Sequence, residues 1–86
     1  MTAFQTNYYQ HYKGNIYQLL AIAIHSETQE ELVIYRALYF NAGKYGMIFA
    51  RPKAMFFSNV VVDGIEVPRF ARLTDEEYSM STEVYK

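Results

Sequence analysis

The chain has 86 residues, a formal net charge of −1 at pH 7 and a hydrophobic content of 51%. That length allows one domain with one core, and the hydrophobic content is too high for a disordered chain. The absence of cysteine excludes disulfides and cysteine-ligated zinc sites. The sequence has neither a basic, apolar signal segment nor an apolar run near ~20 residues, so we expect a cytoplasmic protein with no membrane partner.

Two strands are predicted in the first half of the chain. Residues 16–24 are apolar at odd and even positions alike, and their β-branched content favours a strand that is covered on both faces. Residues 32–40 have a similar composition and predict a second strand. The polar residues 26–31 between them fit a long hairpin loop, although they also fit the capping box of a following helix.

The second half of the chain is predicted to hold three further short strands. One covers residues 47–51, and Pro52 opens a single helical turn after it, because proline is tolerated at a first helical position. The other two flank Asp63-Gly64, a pair that tolerates the positive φ values of a type I′ hairpin turn. We expect this hairpin to close an edge of the core with one dry face. The side chains of that face are Val60, Val62, Ile65 and Val67.

These elements predict a mainly β domain of about five antiparallel strands. A sheet this small must curl to cover its own apolar face, as a barrel or roll. We expect the domain to span residues 1–73 and an acidic tail to span residues 74–86. The tail motif Thr74-x-x-Glu77 can cap a short helix, whereas its weak apolar pattern fits a flexible end. Residues 44–72, by contrast, carry five basic and two acidic residues.

The segment His25-Ser26-Glu27-Thr28 holds a base, a nucleophile and a carboxylate. Neighbouring residues of an extended chain point to opposite sides, so His25 cannot readily activate Ser26. We therefore interpret the segment as a loop entrance whose polar groups bond the local backbone, with catalysis as the alternative. Two histidines and scattered carboxylates match no metal-ligand spacing, and no glycine-rich phosphate loop has the required setting. We expect neither a metal nor a cofactor.

Arg36 lies inside an otherwise apolar predicted strand. Burial of an unpaired arginine is costly, so its side chain either reaches solvent or pairs with a carboxylate such as Glu27 or Glu66. In the first case it belongs to an arginine and aromatic surface that binds an anion, a peptide or unstacked bases. In the second case it forms an internal ion pair that fixes the sheet. The other residues of the surface would be Tyr35, Tyr39 and Arg51.

Five spaced motifs follow one another between about Tyr9 and Leu73. They are Tyr9-x-His11-Tyr12-Lys13-Gly14-x-x-Tyr17, Ala23-x-His25-Ser26-Glu27-Thr28-x-Glu30, Val33-x-Tyr35-Arg36-Ala37-Leu38-Tyr39, Arg51-Pro52-x-x-Met55-Phe56 and Val67-Pro68-Arg69-Phe70. This series resembles the small bacterial proteins of domain-of-unknown-function family 1653. The resemblance implies an SH3-like β-barrel and carries over no catalytic residue, because none is established for the family. The family tends to have Trp-Val before the Arg-Pro pair, where this chain has Phe49-Ala50.

The sequence is best interpreted as a non-enzymatic binding module whose partner is a protein, a peptide or a nucleic acid. SH3-like barrels bind all three, so the implied fold does not select among them. One alternative is a small hydrolase or transferase that uses His25 with Glu27 or Arg36. Another is a structural homodimer that buries an apolar sheet face. The predicted contact surface consists of His25, Glu27, Tyr35, Arg36, Tyr39 and Arg51.

Overall fold

The computed structural model describes residues 7–83 of the chain and the side chains of residues 7–80. The regular structure of this part is mainly β, as predicted, with two short helices. The strands are β1 (Tyr8–His11), β2 (Ile16–Ile24), β3 (Glu31–Ala37), β4 (Phe40–Asn41), β5 (Lys44–Tyr45), β6 (Ile48–Pro52), β7 (Asn59–Val62), β8 (Ile65–Pro68) and β9 (Phe70–Arg72). The helices are α1 (Lys53–Phe56), at the predicted helical turn, and α2 (Asp75–Glu83).

Five strands form one antiparallel sheet in the order β6-β3-β2-β1-β9. The hairpin of β2 and β3 lies at its centre, and residues 26–31 form the connecting loop rather than a helix. A β-bulge between Leu19 and Ala21 shifts the register of β2 by one residue. The prediction that β2 is covered on both faces is wrong beyond this bulge, because Ile22 is exposed and Ile24 is 55% exposed.

The inner face of the sheet is defined by alternate residues of β3. Val33, Tyr35 and Ala37 are buried, whereas the residues between them are only half-buried. Successive side chains of a strand point to opposite faces, so these three mark the side that carries the core. Helix α1 covers this side with Phe56, which is fully buried.

Aromatic rings make up most of the core. Phe56 stacks on Phe70 of β9 with ring centroids 4.1 Å apart and an interplanar angle of 5°. It also meets Tyr9 and Tyr35 edge to face, at centroid distances of 5.4 and 5.3 Å. Burial of a phenyl ring stabilises a fold by about 1.5–3 kcal/mol, and such paired geometries add to it. One ring of α1 therefore holds together β1, β3 and β9.

The predicted barrel or roll is not confirmed, because the main sheet stays open. Its edge strands β6 and β9 lie at opposite ends of the strand order, and the pairs β4–β5 and β7–β8 are separate two-stranded sheets in the described part of the chain. Phe56 of α1 fills the space over the inner face, so the two edge strands do not pair with each other. The sheet is nonetheless strongly curved, because the guanidinium carbon of Arg51 on β6 lies 5.4 Å from the centroid of the Phe70 ring on β9.

The hairpin of β7 and β8 has the predicted register, with Val62 opposite Ile65. Asp63 and Gly64 have φ values of 51° and 79°, which a type I′ turn requires. The prediction that this hairpin closes an edge of the core is wrong. Val62 and Ile65 are exposed, and only its base, Val60 and Val67, is half-buried.

The predicted cap of the tail is also present, at the start of α2. The Thr74 amide donates to Glu77 Oε1 at 2.8 Å, and the Glu77 amide donates to Thr74 Oγ1 at 3.1 Å. This reciprocal pair is a capping box. Tyr78 then stacks on Tyr8 of β1, with ring centroids 3.9 Å apart. The described part of the tail is therefore a short helix that packs on the sheet.

We expect Gly64→Val to destabilise the protein, because an L-residue at positive φ costs about 1–2 kcal/mol and a β-branched one costs more. Crowding does not contribute, since a Cβ at Gly64 meets nothing within 4 Å. Thermal unfolding by circular dichroism should show a melting temperature lower by several degrees, at about 4–8 °C per kcal/mol for a domain of this size. Gly64→Asn is the control and should lower the melting temperature less, since asparagine tolerates positive φ. An unchanged melting temperature for the valine variant would contradict the turn type.

Candidate functional site

Arg51 of β6 lies across the aromatic inner face of the sheet. Its Nε donates to the hydroxyl of Tyr35 at 3.1 Å, and its guanidinium carbon lies 5.4 Å from the centroid of the Phe70 ring. The described side chains give Arg51 no ion pair with a carboxylate. The terminal nitrogens of this half-buried cation therefore have no anionic partner among these residues.

Tyr17 and Tyr39 form a hydroxyl pair in the same cluster. Their oxygens are 2.6 Å apart, and the Tyr17 ring meets the rings of Tyr35 and Phe70 edge to face at 5.3 and 5.6 Å. Burial, followed by the hydrogen bond to Tyr39, raises the pKa of Tyr17 far above its usual value of 10.0. The Tyr17 phenol therefore keeps its proton at physiological pH.

His11 of β1 lies beside this pair. Its ring centroid is 4.9 Å from that of Phe70 and 6.4 Å from that of Tyr17, and its Nδ1 accepts the Lys13 amide at 3.1 Å. Partial burial, and then the positive charges of Arg51, Lys13 and Arg69, lower the pKa of His11 below 6.5. The imidazole is therefore neutral at pH 7. Its proton lies on Nε2, because Nδ1 is an acceptor.

The polar groups of this cluster are mainly donors. A hydroxyl pair shares one proton internally, so the second proton of Tyr17 and Tyr39 stays available. The Tyr35 hydroxyl accepts from Arg51 and likewise keeps its own proton. Together with the Arg51 terminal nitrogens and His11 Nε2, these groups are donors of the kind that bind an anion. We call this cluster the Arg51 site, which consists of His11, Tyr17, Tyr35, Tyr39, Arg51 and Phe70.

Three of the six residues predicted as a contact surface meet in the Arg51 site, namely Tyr35, Tyr39 and Arg51. Tyr35 is only 4% exposed, so its ring belongs to the core and its hydroxyl supports Arg51. The other three residues of the predicted surface lie elsewhere. They are His25, Glu27 and Arg36.

Arg36 belongs to the outer face of the sheet, because it alternates with the buried residues of β3. Its stem packs against Gly46, where an added Cβ would meet the Arg36 Cδ at 3.6 Å. No ion pair joins Arg36 to Glu27 or Glu66 in the described chain. The structure therefore gives neither the internal ion pair nor a shared surface with Arg51.

His25 and Glu27 lie in the loop between β2 and β3. The His25 Nδ1 accepts the amides of Glu27 at 3.2 Å and Thr28 at 3.3 Å, so the imidazole organises the loop. No side-chain hydrogen bond or ion pair joins His25 to the Glu27 carboxylate among the described residues. Gln18, the strand partner of Arg36, is seven residues from His25, which is roughly 20 Å along an extended strand. The pairing of His25 with Arg36 that the enzyme alternative needs is therefore not formed.

The sequence did not identify three members of the Arg51 site, His11, Tyr17 and Phe70. His11 and Phe70 become neighbours only because β1 pairs with β9, with His11 opposite Phe70. The motif containing His11 and Tyr17 is present in the sequence, but no neighbouring residue indicates that its strand pairs with the strand of Phe70. In the described residues, no group of three or more potential ligands could hold a metal ion, and no helix is long and apolar enough to cross a membrane.

Comparisons with known proteins agree with the motif series. The family model described as "Protein of unknown function (DUF1653)" matches residues 7–72. The chain belongs to this family. It is also similar to the crystal structure of a DUF1653 protein from Bordetella bronchiseptica, with 34% identity and a TM-score of 0.71 over 83% of this chain and 88% of that one. No curated protein matches the chain.

His25→Ala should loosen the loop, because two amides lose their acceptor. A net hydrogen bond contributes about 0.5–1.5 kcal/mol, so we expect a lower melting temperature and faster amide exchange at Glu27 and Thr28. His25→Asn is the matched control, since the asparagine side-chain oxygen can replace Nδ1 as acceptor. Amide exchange at Glu27 and Thr28 should therefore be slower in this variant than in the alanine variant. Unchanged exchange in the alanine variant would show that the imidazole does not hold the loop.

The lowered pKa of His11 makes stability depend on pH. The unfolded chain binds this proton more tightly than the folded chain does. The contribution of neutral His11 to the free energy of unfolding is therefore complete above about pH 6.5 and is lost as the pH falls below that value. His11→Asn keeps an acceptor for the Lys13 amide and removes the titration. Its melting temperature should therefore fall less than that of the wild type between about pH 7 and pH 5. Parallel curves for the two proteins would contradict this linkage.

Proposed function

We propose that the protein is a non-enzymatic binding module that recognises an anionic group of its partner at the Arg51 site. The main support is a half-buried guanidinium that lacks a carboxylate partner in the described chain and is held by Tyr35 and Phe70. Charge-assisted hydrogen bonds from arginine to carboxylate or phosphate are about twice as strong as neutral ones. An anionic ligand would therefore gain more binding free energy at this position than a neutral one would.

The neighbouring groups favour the same ligand class. Tyrosine hydroxyls and a neutral imidazole add hydrogen-bond donors without adding charge, so they orient an anion rather than merely attract it. The positive charges that lower the pKa of His11 come from three side chains, Arg51, Lys13 and Arg69. An anion bound among these side chains would lower the local repulsion between cations.

A binding role also fits the chemistry of the cluster better than catalysis does. A nucleophile activated by a base requires the two to be hydrogen-bonded, with the base oriented by a third group. The His11 Nδ1 is occupied by a backbone amide, and no serine or threonine forms part of the Arg51 site. The His25 Nδ1 is occupied in the same way.

The Arg51 site should bind inorganic phosphate weakly, with chemical-shift changes in ¹H–¹⁵N spectra centred on His11, Tyr39 and Arg51. Arg51→Met keeps a similar stem without the charge, and should weaken phosphate binding about tenfold or more, since a charged hydrogen bond contributes about 1.5–3 kcal/mol. Lys53→Met is the control, because Lys53 forms an exposed ion pair with Glu31. Phosphate shifts that survive Arg51→Met, or that centre elsewhere, would overturn the proposal.

A further inference from the structure

Strand β6 forms one edge of the five-stranded sheet, and β3 is its only strand partner in the described chain. The Ala37 amide donates to the Met47 carbonyl at 2.8 Å, so these two opposite residues form a hydrogen-bonded pair next to the start of β6. Hydrogen-bonded and non-hydrogen-bonded pairs alternate along an antiparallel ladder. The backbone groups of Phe49 and Arg51 are therefore directed to β3, because these residues lie two and four positions after Met47.

The residues of β6 between these positions direct their backbone groups to the free side of the edge. They are Ile48 and Ala50, followed by Pro52, which has no amide hydrogen. Outside the ladder with β3, no backbone hydrogen bond involves Ile48 or Ala50 in the part of the chain that the structure describes. Both residues are exposed, Ile48 by 55%. Two amides and two carbonyls are therefore open to a further strand.

This edge lacks the features that usually prevent the addition of a strand. Natural edge strands carry charged side chains, proline or a bulge, or a helix or loop covers them. The register of β6 against β3 has no shift from Ile48 to Pro52, and the first three side chains of β6 are uncharged. Proline stands only at the end of the strand. The first part of β6 is therefore suited to pairing with an extended chain.

The one charged side chain of β6 indicates which kind of strand fits. Arg51 is opposite Val33, which belongs to the inner face, so the Arg51 side chain projects to that face. A residue added opposite Arg51 would project to the same face, with its Cβ about 4.5–5.5 Å from the Arg51 Cβ. The positive charges that act on His11 there come from Arg51, Lys13 and Arg69. An aspartate or glutamate in the added strand would meet them, and opposite charges across paired strands are stabilising.

The acidic groups nearest in the fold do not take this role. The acidic first turn of α2 lies on the outer face, because Tyr78 of α2 stacks on Tyr8, which alternates with the inward residues of β1. The Glu31 carboxylate pairs with Lys53 at 3.6 Å. No ion pair joins Arg51 to a carboxylate among the residues that the structure describes. The negative charge must therefore come from the ligand.

A second copy of β6 would satisfy the backbone groups but not the charge. The residues from Ile48 to Ala50 are neutral and Arg51 is basic, so a copy of this strand brings no carboxylate. A strand with alternating acidic and apolar side chains satisfies both requirements. Its acidic side chains would share the inner face with Arg51, and its apolar side chains would extend the outer face, where Ala50 is opposite the half-buried Ile34.

We propose that β6 binds an extended segment of a partner protein as an added antiparallel strand, with an acidic side chain of the segment at Arg51. The inference rests on the proposed function, since it names the ligand class of the same site. An antiparallel segment can exchange two backbone hydrogen bonds with Ile48 and two with Ala50. These bonds position the segment, and the pockets and charges beside the edge select its side chains.

The test is amide hydrogen exchange of the full chain, followed in ¹H–¹⁵N spectra with and without the peptide Thr-Glu-Val-Glu-Val-Glu-Thr, capped at both ends. In the free protein, the amides of Ile48 and Ala50 should exchange faster than those of Phe49 and Arg51, which the ladder with β3 protects. The peptide should bind and slow exchange at Ile48 and Ala50. A peptide with glutamine at each glutamate position should bind about tenfold or more weakly, since charge-assisted hydrogen bonds are about twice as strong.

Ala50→Pro removes an outward amide, at a position where an edge strand tolerates proline because that amide is outside the ladder. It should weaken peptide binding about tenfold or more and leave phosphate binding at the Arg51 site unchanged. Val61→Pro is the matched control on β7. Val61 is 70% exposed, and its amide faces away from β8 because the neighbouring pair next to the two-residue turn is the hydrogen-bonded one. This variant should bind the peptide as the wild type does.

Circular dichroism shows whether each proline variant is folded. If Ala50→Pro is not, the protection of the Ile48 and Ala50 amides by the peptide in the wild type decides. Peptide binding that survives Ala50→Pro in a folded variant would overturn the inference. Protection that centres on residues outside β6 would overturn it as well.

Phosphate binding separates this inference from the proposed function. If the phosphate shifts depend on Arg51 but the peptide does not bind, the added strand fails and the anion site stands. If the phosphate shifts are independent of Arg51, both fail. Equal binding of the glutamate and glutamine peptides would overturn the acidic ligand class.

Two other occupants of this edge would be recognised in the same experiments. Protection of Ile48 and Ala50 that rises with protein concentration in the absence of peptide would assign the edge to a second copy of the chain. Tighter binding of an oligothymidylate with the same number of charges, lost in Arg51→Met, would assign the site to a nucleic acid. Either result would overturn the choice of an acidic peptide strand.

Discussion

The stack of Phe56 on Phe70 is the interaction on which the rest of the structure depends. An open sheet with one four-residue helix has little other means to bury its inner face. Phe56 is fully buried, and its ring joins the edge strand β9 to the central strand β3 through Tyr35. Small domains bury a modest fraction of their surface, so the loss of one such ring costs a large part of the total stability.

The same packing builds the candidate site, because Tyr35 and Phe70 have two roles. Their rings are nearly inaccessible, but the Tyr35 hydroxyl and the Phe70 face support Arg51. An exposed arginine loses about 2 kcal/mol of side-chain entropy when it becomes ordered. Here the core already restricts the guanidinium, so an anion meets a donor group that is partly ordered in advance.

Local chemistry explains which features the sequence could predict. The Asp63-Gly64 turn, the Thr74–Glu77 cap and the helical turn after Pro52 depend on neighbouring residues, and all three are confirmed. The closed barrel is not confirmed, because closure of a sheet depends on which other parts of the chain cover its inner face. The sequence predicted only some residues of the Arg51 site, and the reason is related. Tyr35, Tyr39 and Arg51 lie close together in the sequence, on or beside the neighbouring strands β3 and β6, whereas His11 meets Phe70 through the pairing of β1 with β9, which are far apart in the sequence.

Rigidity differs between the Arg51 site and the β4–β5 hairpin. The Arg51 site lies on the five-stranded sheet and inherits its order from the core, which fixes where a charge can bind. The β4–β5 hairpin has two-residue, exposed strands that pair with no other strand in the described chain, so its local opening should cost less free energy than that of the main sheet. The anion proposed for the Arg51 site therefore meets the more rigid of these two regions, where little further ordering of the protein is needed on binding.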